Sequence, residues 1–136
     1  MALQRFIDAQ YSTYARALSE INAGWKQSHW MWFIFPQLTG LGKSETASYY
    51  GIKDLREAQE YLSHFLLGHR LMEISKAVLA IEGKTANQVF GSPDDLKLQS
   101  CMTLFKSVEG SDGIFAAVLE KYFNGLVDER TVNATK

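Results

Sequence analysis

The densest apolar stretch of the chain is Ser28-His29-Trp30-Met31-Trp32-Phe33-Ile34-Phe35-Pro36-Gln37. It holds two of the three tryptophans and two of the eight phenylalanines. Each aromatic side chain buries roughly 150–250 Å² when it is covered, so this stretch must line a core, a ligand pocket or a partner interface. The apolar run that Pro36 ends is too short for a full helix. It predicts either a short buried strand or an irregular segment with one helical turn.

An extended conformation would sort these side chains between two faces. Alternation would place Trp30, Trp32 and Ile34 on one face of the segment, with Met31, Phe33 and Phe35 on the other. One face could then pack into the core while the other lines a pocket. Trp30 and Trp32 are therefore candidate ligand-binding residues that would stack on a planar ring, although core packing is the commoner role of such side chains.

Length, charge and cysteine content narrow the class of protein. A chain of 136 residues matches one domain of common size. Fourteen Lys and Arg against fifteen Asp and Glu give a net charge of −1, so no overall field favours nucleic acid or an anionic membrane. The single cysteine, Cys101, excludes an internal disulfide and fits a reducing compartment. We expect a single-domain cytoplasmic protein with no secretion signal, membrane span, metal site or cofactor.

Apolar side chains recur at three- and four-residue steps along most of the chain, which predicts helices. The predicted helices cover approximately residues 3–21, 44–50, 54–63, 66–81, 85–90, 92–107 and 111–123. The tail after Asp128 is expected to add at most one frayed turn. The chain is therefore predicted to be mainly α, a single compact domain of five or six main helices with a short buried aromatic segment near residues 29–36.

Capping residues support several of these helix starts. Ser44 and Thr85 are suited to accept a hydrogen bond from the first turn of the helix that follows each of them. In Ser92-Pro93-Asp94-Asp95, Ser92 is expected to cap a helix whose first residue is Pro93. Gly68 falls in the first turns of a predicted helix, which indicates a bend or close packing there.

The loop after the aromatic stretch contains a candidate anion site. Gly42-Lys43-Ser44 ends like a phosphate-binding P-loop, but that motif requires glycine where Gln37 stands. Gly40, Gly42, Lys43 and Ser44 still offer backbone N–H groups at a predicted helix start, where anions bind. The alternative is an ordinary capped turn.

Two side chains are candidate proton carriers. His29 is one, because an imidazole transfers protons near neutral pH; its alternative role is to satisfy backbone carbonyls in an aromatic core. Asp94 is the other, although a carboxylate at a helix start also simply stabilises the helix dipole. Cys101 has no histidine near it in sequence and is expected to be packed and inert.

A polar stripe on the helix that follows Ser92 provides further ligand-binding candidates. Lys97, Ser100 and Thr103 recur on one side of it, and a lysine with two hydroxyls can hold a phosphate or a carboxylate. The alternative is the solvated edge of an amphipathic helix. Gln37, at the end of the aromatic stretch, is expected to orient a ligand.

Three blocks of the sequence resemble a bacterial family catalogued as a domain of unknown function, DUF1810. They are Ser28-His29-Trp30-Met31-Trp32-Phe33-Ile34-Phe35-Pro36-Gln37, Gly40-Leu41-Gly42, and Phe90-Gly91-Ser92-Pro93-Asp94-Asp95-Leu96-Lys97-Leu98 with Met102-Thr103-Leu104-Phe105. The resemblance covers nearly the whole chain and implies a small, mainly helical, cytoplasmic protein without implying an activity. In size and helicity the chain is also similar to YbiA-like (NADAR) domains, which act on N-glycosidic bonds of ribosylated compounds. That similarity suggests an assay and assigns no catalytic residue.

Together these residues predict a pocket for a small planar anionic metabolite, such as a nucleotide or a ribosylated derivative. If the protein is an enzyme, metal-independent hydrolysis or glycosidic cleavage would use His29 or Asp94 as the proton carrier. Replacing His29 by alanine would then abolish turnover without unfolding the chain. The alternative is a non-enzymatic interaction module whose aromatic segment binds a peptide or another subunit.

Overall fold

The computed structural model describes residues 2–136, which form an all-helical domain of ten helices. They are α1 (Gln4–Tyr11), α2 (Tyr14–Asn22), α3 (Met31–Ile34), α4 (Glu45–Tyr50), α5 (Leu55–Ser63), α6 (Leu67–Ala80), α7 (Ala86–Phe90), α8 (Asp94–Lys106), α9 (Ile114–Phe123) and α10 (Glu129–Ala134). Six of them have eight or more residues, which confirms the predicted mainly α fold with five or six main helices. Between helices, Leu38 and Ile52 form an isolated parallel bridge. No helix of residues 2–136 is long and apolar enough to cross a membrane.

Helix α8 is the centre of the domain. It packs against α5, α7, α9 and α10, and nearly every residue from Leu98 to Phe105 is buried. The Phe105 ring lies 5.4 Å from the Tyr61 ring of α5 and 5.8 Å from the Phe115 ring of α9, measured between centroids. A helix that is covered on most of its circumference must contribute small polar side chains as well as apolar ones to the core. This explains why Ser100 and Thr103 are buried.

The aromatic stretch is a helical turn, α3, and not a strand. Trp30, Met31, Ile34 and Phe35 are almost fully buried, whereas Trp32 and Phe33 are half-buried. The helical turn is the second of the two predicted conformations, so the alternation expected for an extended segment does not occur. Successive side chains of a helix are about 100° apart, and Trp30 and Trp32 point in different directions. The Phe35 ring packs between Trp30 and Phe90, at centroid distances of 6.1 and 5.8 Å.

The carboxylate of Glu20 attaches the aromatic stretch to α2. It accepts hydrogen bonds from the backbone N–H groups of Gln27 (2.7 Å) and Ser28 (3.0 Å), from the Ser28 hydroxyl, and from the Trp30 indole N–H (2.9 Å). Partial burial by itself would raise the pKa of Glu20, but these hydrogen bonds outweigh it and lower the pKa to about 2. Four donors on one carboxylate fix the direction in which the chain enters α3.

Replacing Glu20 by glutamine should lower the free energy of unfolding by about 1–3 kcal/mol at pH 7, because four donors, three of them in partly buried hydrogen bonds, lose a charged acceptor. The folded-state pKa of about 2 lies below the ordinary value of 4.5. The stabilisation is therefore complete above the ordinary value and disappears as the pH falls towards 2. Urea denaturation across this pH range measures it. Glu82→Gln, at an exposed position, is the control. If Glu20→Gln lowered the free energy of unfolding equally at every pH, the ionised carboxylate would not be the source of the stabilisation.

The predicted single helix over residues 3–21 is wrong, because Ser12 and Thr13 separate α1 from α2. α1 packs on α3 whereas α2 packs on α6, so the chain must change direction between them. Serine and threonine favour such a break, since their hydroxyls compete for backbone hydrogen bonds. The buried Gln10 amide near the break donates to the Phe33 carbonyl (2.8 Å) and to the Tyr61 hydroxyl (3.0 Å).

Two of the expected helix caps are present and one is not. The Ser44 hydroxyl accepts from the backbone N–H of Ala47 (3.0 Å), and Thr85 forms a reciprocal capping box with Gln88. Ser92 does not cap α8, which begins at Asp94 after Pro93. The first-turn N–H groups have other acceptors, since Asp95 donates to the Gly91 carbonyl at 2.9 Å. The prediction of a serine cap there is wrong for this reason.

Gly68 lies where α6 passes close to the end of α5, as its position in the sequence indicated. A Cβ atom at Gly68 would come within 2.1 Å of the Leu62 carbonyl oxygen. No flexible side chain can move aside to relieve that contact, because it involves the backbone. The glycine therefore permits the close approach of the two helices.

Gly68→Ala should destabilise the fold by more than about 2 kcal/mol, because the backbone must shift to relieve the contact. The matched control is Gly113→Ala, since a Cβ at Gly113 meets nothing within 4 Å. That change should alter the free energy of unfolding by less than about 1 kcal/mol. Thermal unfolding of the two variants side by side gives the comparison, and similar melting temperatures would show that the Gly68 contact is easily relieved.

Candidate functional site

A cavity of about 210 Å³ lies beside the aromatic turn, between the loop that follows α3, the first half of α8, and α10. It is lined by Trp32, Gln37, Leu41, Gly42, Pro93, Leu96, Lys97, Ser100 and Arg130. Five residues that the sequence predicts as ligand-binding meet here: Trp32, Gln37, Gly42, Lys97 and Ser100. We call it the Trp32 cavity.

Lys97 lies over the indole ring of Trp32. Its Nζ atom is 3.7 Å from the ring centroid, within the range of a cation–π interaction. Gly42 approaches the same ring, because a Cβ on Gly42 would be 3.5 Å from Trp32 Cη2 and only 2.7 Å from the Ala47 Cβ. The ring is thus held by protein contacts. The exposed part of the ring forms one wall of the Trp32 cavity. That a planar ligand stacks on it stays a prediction.

Asp94 joins two lysines. Its Oδ1 atom is 3.1 Å from Lys97 Nζ, and its Oδ2 atom is 2.9 Å from Lys26 Nζ. The Lys26 side chain is only 8% exposed, and its ammonium also donates to the Ser28 carbonyl at 2.6 Å. Both carboxylate oxygens are therefore occupied by ammonium groups. This geometry suits Asp94 to position Lys97 rather than to carry protons.

A second, smaller cavity of about 100 Å³ borders the same ion-paired residues. It is lined by Lys26, His29, Trp30, Met31, Trp32, Asp94 and Lys97. His29 is exposed at this cavity and does not line the Trp32 cavity. Trp30 is fully buried and uses its indole N–H for Glu20, so it acts mainly as a core residue.

Gln37 lies in the floor of the Trp32 cavity. Its carbonyl accepts from the Ile52 backbone N–H at 2.9 Å, which fixes its backbone beside the Leu38–Ile52 bridge. The residue is 9% exposed. Its side-chain amide is not among the buried polar groups without a partner, of which Ser75 Oγ is the one found in residues 2–136, so the amide is open to solvent at the cavity. The Gln37 amide can therefore donate to and accept from a molecule in the cavity.

Arg130 forms a wall of the Trp32 cavity that the sequence analysis missed. It lies on α10, where a frayed turn was expected, and its side chain is 61% exposed. Its Nε atom is 3.4 Å from Asp128 Oδ1. The acidic pair Asp128-Glu129 ahead of Thr131 and Val132 was the available signal for a docked helix, because acids favour a helix start.

Asp128 holds α10 against α8. The hydroxyls of Thr131 (2.6 Å) and Ser100 (3.0 Å) donate to its Oδ2 atom. Partial burial alone would raise the pKa of Asp128, but these hydrogen bonds and the charge of Arg130 lower it below the ordinary value. Thr103 strengthens the contact, because its Oγ1 accepts from the Asp128 backbone N–H at 2.9 Å. The Thr103 hydroxyl is thus used within the fold, outside the cavity.

The remaining predicted residues lie apart from the cavity. Lys43 is exposed and does not line it, and the Ser44 hydroxyl is used to cap α4. Gly40 occupies a turn with a φ of 89°, which favours glycine, and it faces open space. Of the Gly40–Ser44 loop, only Leu41 and Gly42 border the Trp32 cavity.

Thr103→Val should lower the free energy of unfolding by about 1–3 kcal/mol, because the Asp128 N–H loses its acceptor in a buried place. Amide hydrogen exchange should show the largest increase in α10. Thr46→Val, at an exposed helical position, is the matched control. Unchanged exchange in α10 would contradict the role given to Thr103.

Comparison with known proteins gives a family and a fold. A family model described as protein of unknown function (DUF1810) matches residues 1–135. The chain is similar to the crystal structure of the conserved hypothetical protein Rv1873 from Mycobacterium tuberculosis, with 49% sequence identity and a TM-score of 0.96. The match covers 98% of this chain and 95% of that chain. No curated protein matches.

Proposed function

We propose a small-molecule-binding function for this chain, which belongs to the DUF1810 family of proteins of unknown function. The ligand is a small anionic metabolite, and it binds in the Trp32 cavity. The observation that carries the proposal is the meeting of Lys97, Arg130 and the Gln37 side chain at one cavity. The Gln37 amide is open to solvent there, so a ligand that covers it must hydrogen-bond to it, because a polar group buried without a partner is costly.

The charge of the ligand follows from Lys97 and Arg130. Both side chains border the same cavity, and they come from different helices. Arginine and lysine form their strongest hydrogen bonds with ionised oxygen acceptors such as carboxylates and phosphates. Because Asp94 and Trp32 hold Lys97 in place, little side-chain freedom is lost when an anion binds.

Nucleotides and ribosylated compounds are the ligand classes that the sequence suggested. A cavity of about 210 Å³ is smaller than most ligand sites, which measure roughly 300–1,000 Å³. It would therefore enclose only one end of such a molecule. Hydrolase or N-glycosidase turnover stays a prediction that His29→Ala would test, and binding in the Trp32 cavity does not require it.

The rival function, an interaction module built on the aromatic segment, has less support. Four residues of the segment, Trp30, Met31, Ile34 and Phe35, have exposed fractions of 3% or less. Partner surfaces depend on aromatic side chains that a partner can reach. Trp32, the tryptophan of the segment that is only half-buried, lines the Trp32 cavity, which favours a small ligand.

The test is a binding screen by thermal shift and calorimetry, with inorganic phosphate, carboxylates, nucleotides and ribosylated compounds. A ligand at ~100 times its dissociation constant adds about 2.7 kcal/mol to the free energy of unfolding. Lys97→Met and Arg130→Gln should each weaken binding at least ~10-fold, since each removes a charged partner of the ligand.

Lys106→Gln is the matched control, because Lys106 is an exposed lysine at the far end of α8. Arg130→Gln is the second test variant in case Lys97→Met does not fold. The Arg130 side chain is largely exposed, so its replacement should leave the fold intact. Binding that survives in both cavity variants, or no binding by any anion, would refute the proposal.

A further inference from the structure

The charged groups around the Trp32 cavity carry a small net charge. Lys97 and Arg130 line the cavity, and they form ion pairs with Asp94, which also pairs with Lys26, and with Asp128. These five groups carry three positive and two negative charges. The site therefore has one uncompensated positive charge. A ligand with a single negative charge neutralises it, whereas a second negative charge would face Asp94 and Asp128 without a cation of its own.

The walls of the cavity are mainly apolar. Leu41, Pro93 and Leu96 line it together with the Trp32 ring. Leu96 is 54% exposed, although it is a large aliphatic side chain. An apolar ligand body would cover these surfaces and gain the free energy of removing them from water. A phosphate ion or a sugar would not cover these apolar surfaces.

Resting on the proposed function, we infer that the ligand is a compact monocarboxylate with an apolar or aromatic body. Its carboxylate interacts with Lys97 and Arg130, and its body lies against Leu41, Pro93 and Leu96. A carboxylate matches the planar fork of a guanidinium group and carries one charge. A phosphate monoester carries about −1.5 to −2 charges at pH 7, which exceeds the net charge of the site.

Gln37 determines which monocarboxylates bind best. Its amide presents a donor and an acceptor in a cavity that Leu41, Pro93 and Leu96 also line. A ligand with a hydroxyl or ring N–H on its body can pair with this amide, whereas a purely hydrocarbon body leaves it unpaired. We therefore expect selectivity for polar-substituted bodies, and Gln37 is the specificity-determining residue.

The experiment uses the full chain at fixed salt and pH 7, with benzoate, benzamide, benzenesulfonate and phenyl phosphate as probes. Calorimetry and backbone amide NMR titrations measure the affinities and locate the site. We expect benzoate to bind at least ~10-fold more tightly than benzamide, which lacks the charge. Benzenesulfonate and phenyl phosphate should also bind more weakly than benzoate, because a tetrahedral group fits the guanidinium fork less well and the phosphate adds a second charge. The amide signals of Gly42 and Lys97 should shift with benzoate.

A second comparison isolates Gln37. The hydroxybenzoates substituted at the 3- and 4-positions are titrated against benzoate in the unmodified chain and in Gln37→Leu. In the unmodified chain one hydroxybenzoate should bind at least ~3-fold more tightly than benzoate, and in Gln37→Leu the ratio should fall to about one. Gln99→Leu is the control variant, because the Gln99 amide donates to the Leu126 carbonyl and does not line the cavity.

The outcomes separate this inference from the proposed function. If phenyl phosphate or a nucleotide binds as tightly as benzoate or more tightly, and Lys97→Met and Arg130→Gln abolish that binding, the function stands and the monocarboxylate assignment is wrong. Equal binding of benzenesulfonate would also overturn the assignment to a carboxylate. If no anion binds, the proposed function fails. A hydroxybenzoate preference that survives in Gln37→Leu would refute the role of Gln37.

Discussion

The interaction on which the candidate site depends is the hydrogen bonding of one carboxylate, Glu20, to the entrance of the aromatic turn. It holds Trp30 inside the core. Because the following residues are helical, this orientation of Trp30 turns Trp32 towards the Trp32 cavity. Because the two tryptophan side chains point in different directions around the turn, Trp32 stays partly exposed when Trp30 is buried. The core and the cavity therefore share a single short segment, and neither can be rearranged without the other.

Asp94 has a comparable role on the opposite side of the site. A carboxylate between two ammonium groups gives each lysine a fixed partner in a partly buried place, where unpaired charges would be costly. The Asp94 carboxylate also balances one of the two lysine charges. The positive charge at the site is therefore smaller than two lysines alone would give. Local charge balance thus describes the site better than a count of its basic residues does.

Much of the fold was predictable from local signals in the sequence. The caps at Ser44 and Thr85 and the close approach at Gly68 depend on neighbours within a few residues, which a sequence displays directly. The break after Tyr11 and the docking of α10 depend on partners far along the chain, such as α6 and Thr103. The sequence singled out five residues that line the Trp32 cavity because their chemistry is visible locally: Trp32, Gln37, Gly42, Lys97 and Ser100. Arg130 was missed because only the docking of α10 brings it to the cavity.

The attachment of α10 by Asp128 links the local unfolding of α10 to the anion binding that we propose for the cavity. α10 is short, and its main hold on the domain is a few hydrogen bonds to α8. Local unfolding of such an element costs less free energy than global unfolding does. Opening α10 would carry Arg130 away from the cavity. An anion bound there as we propose would therefore suppress the opening, and by reciprocity the opening would weaken the affinity for the anion. Binding in the cavity would thus be coupled to the order of α10.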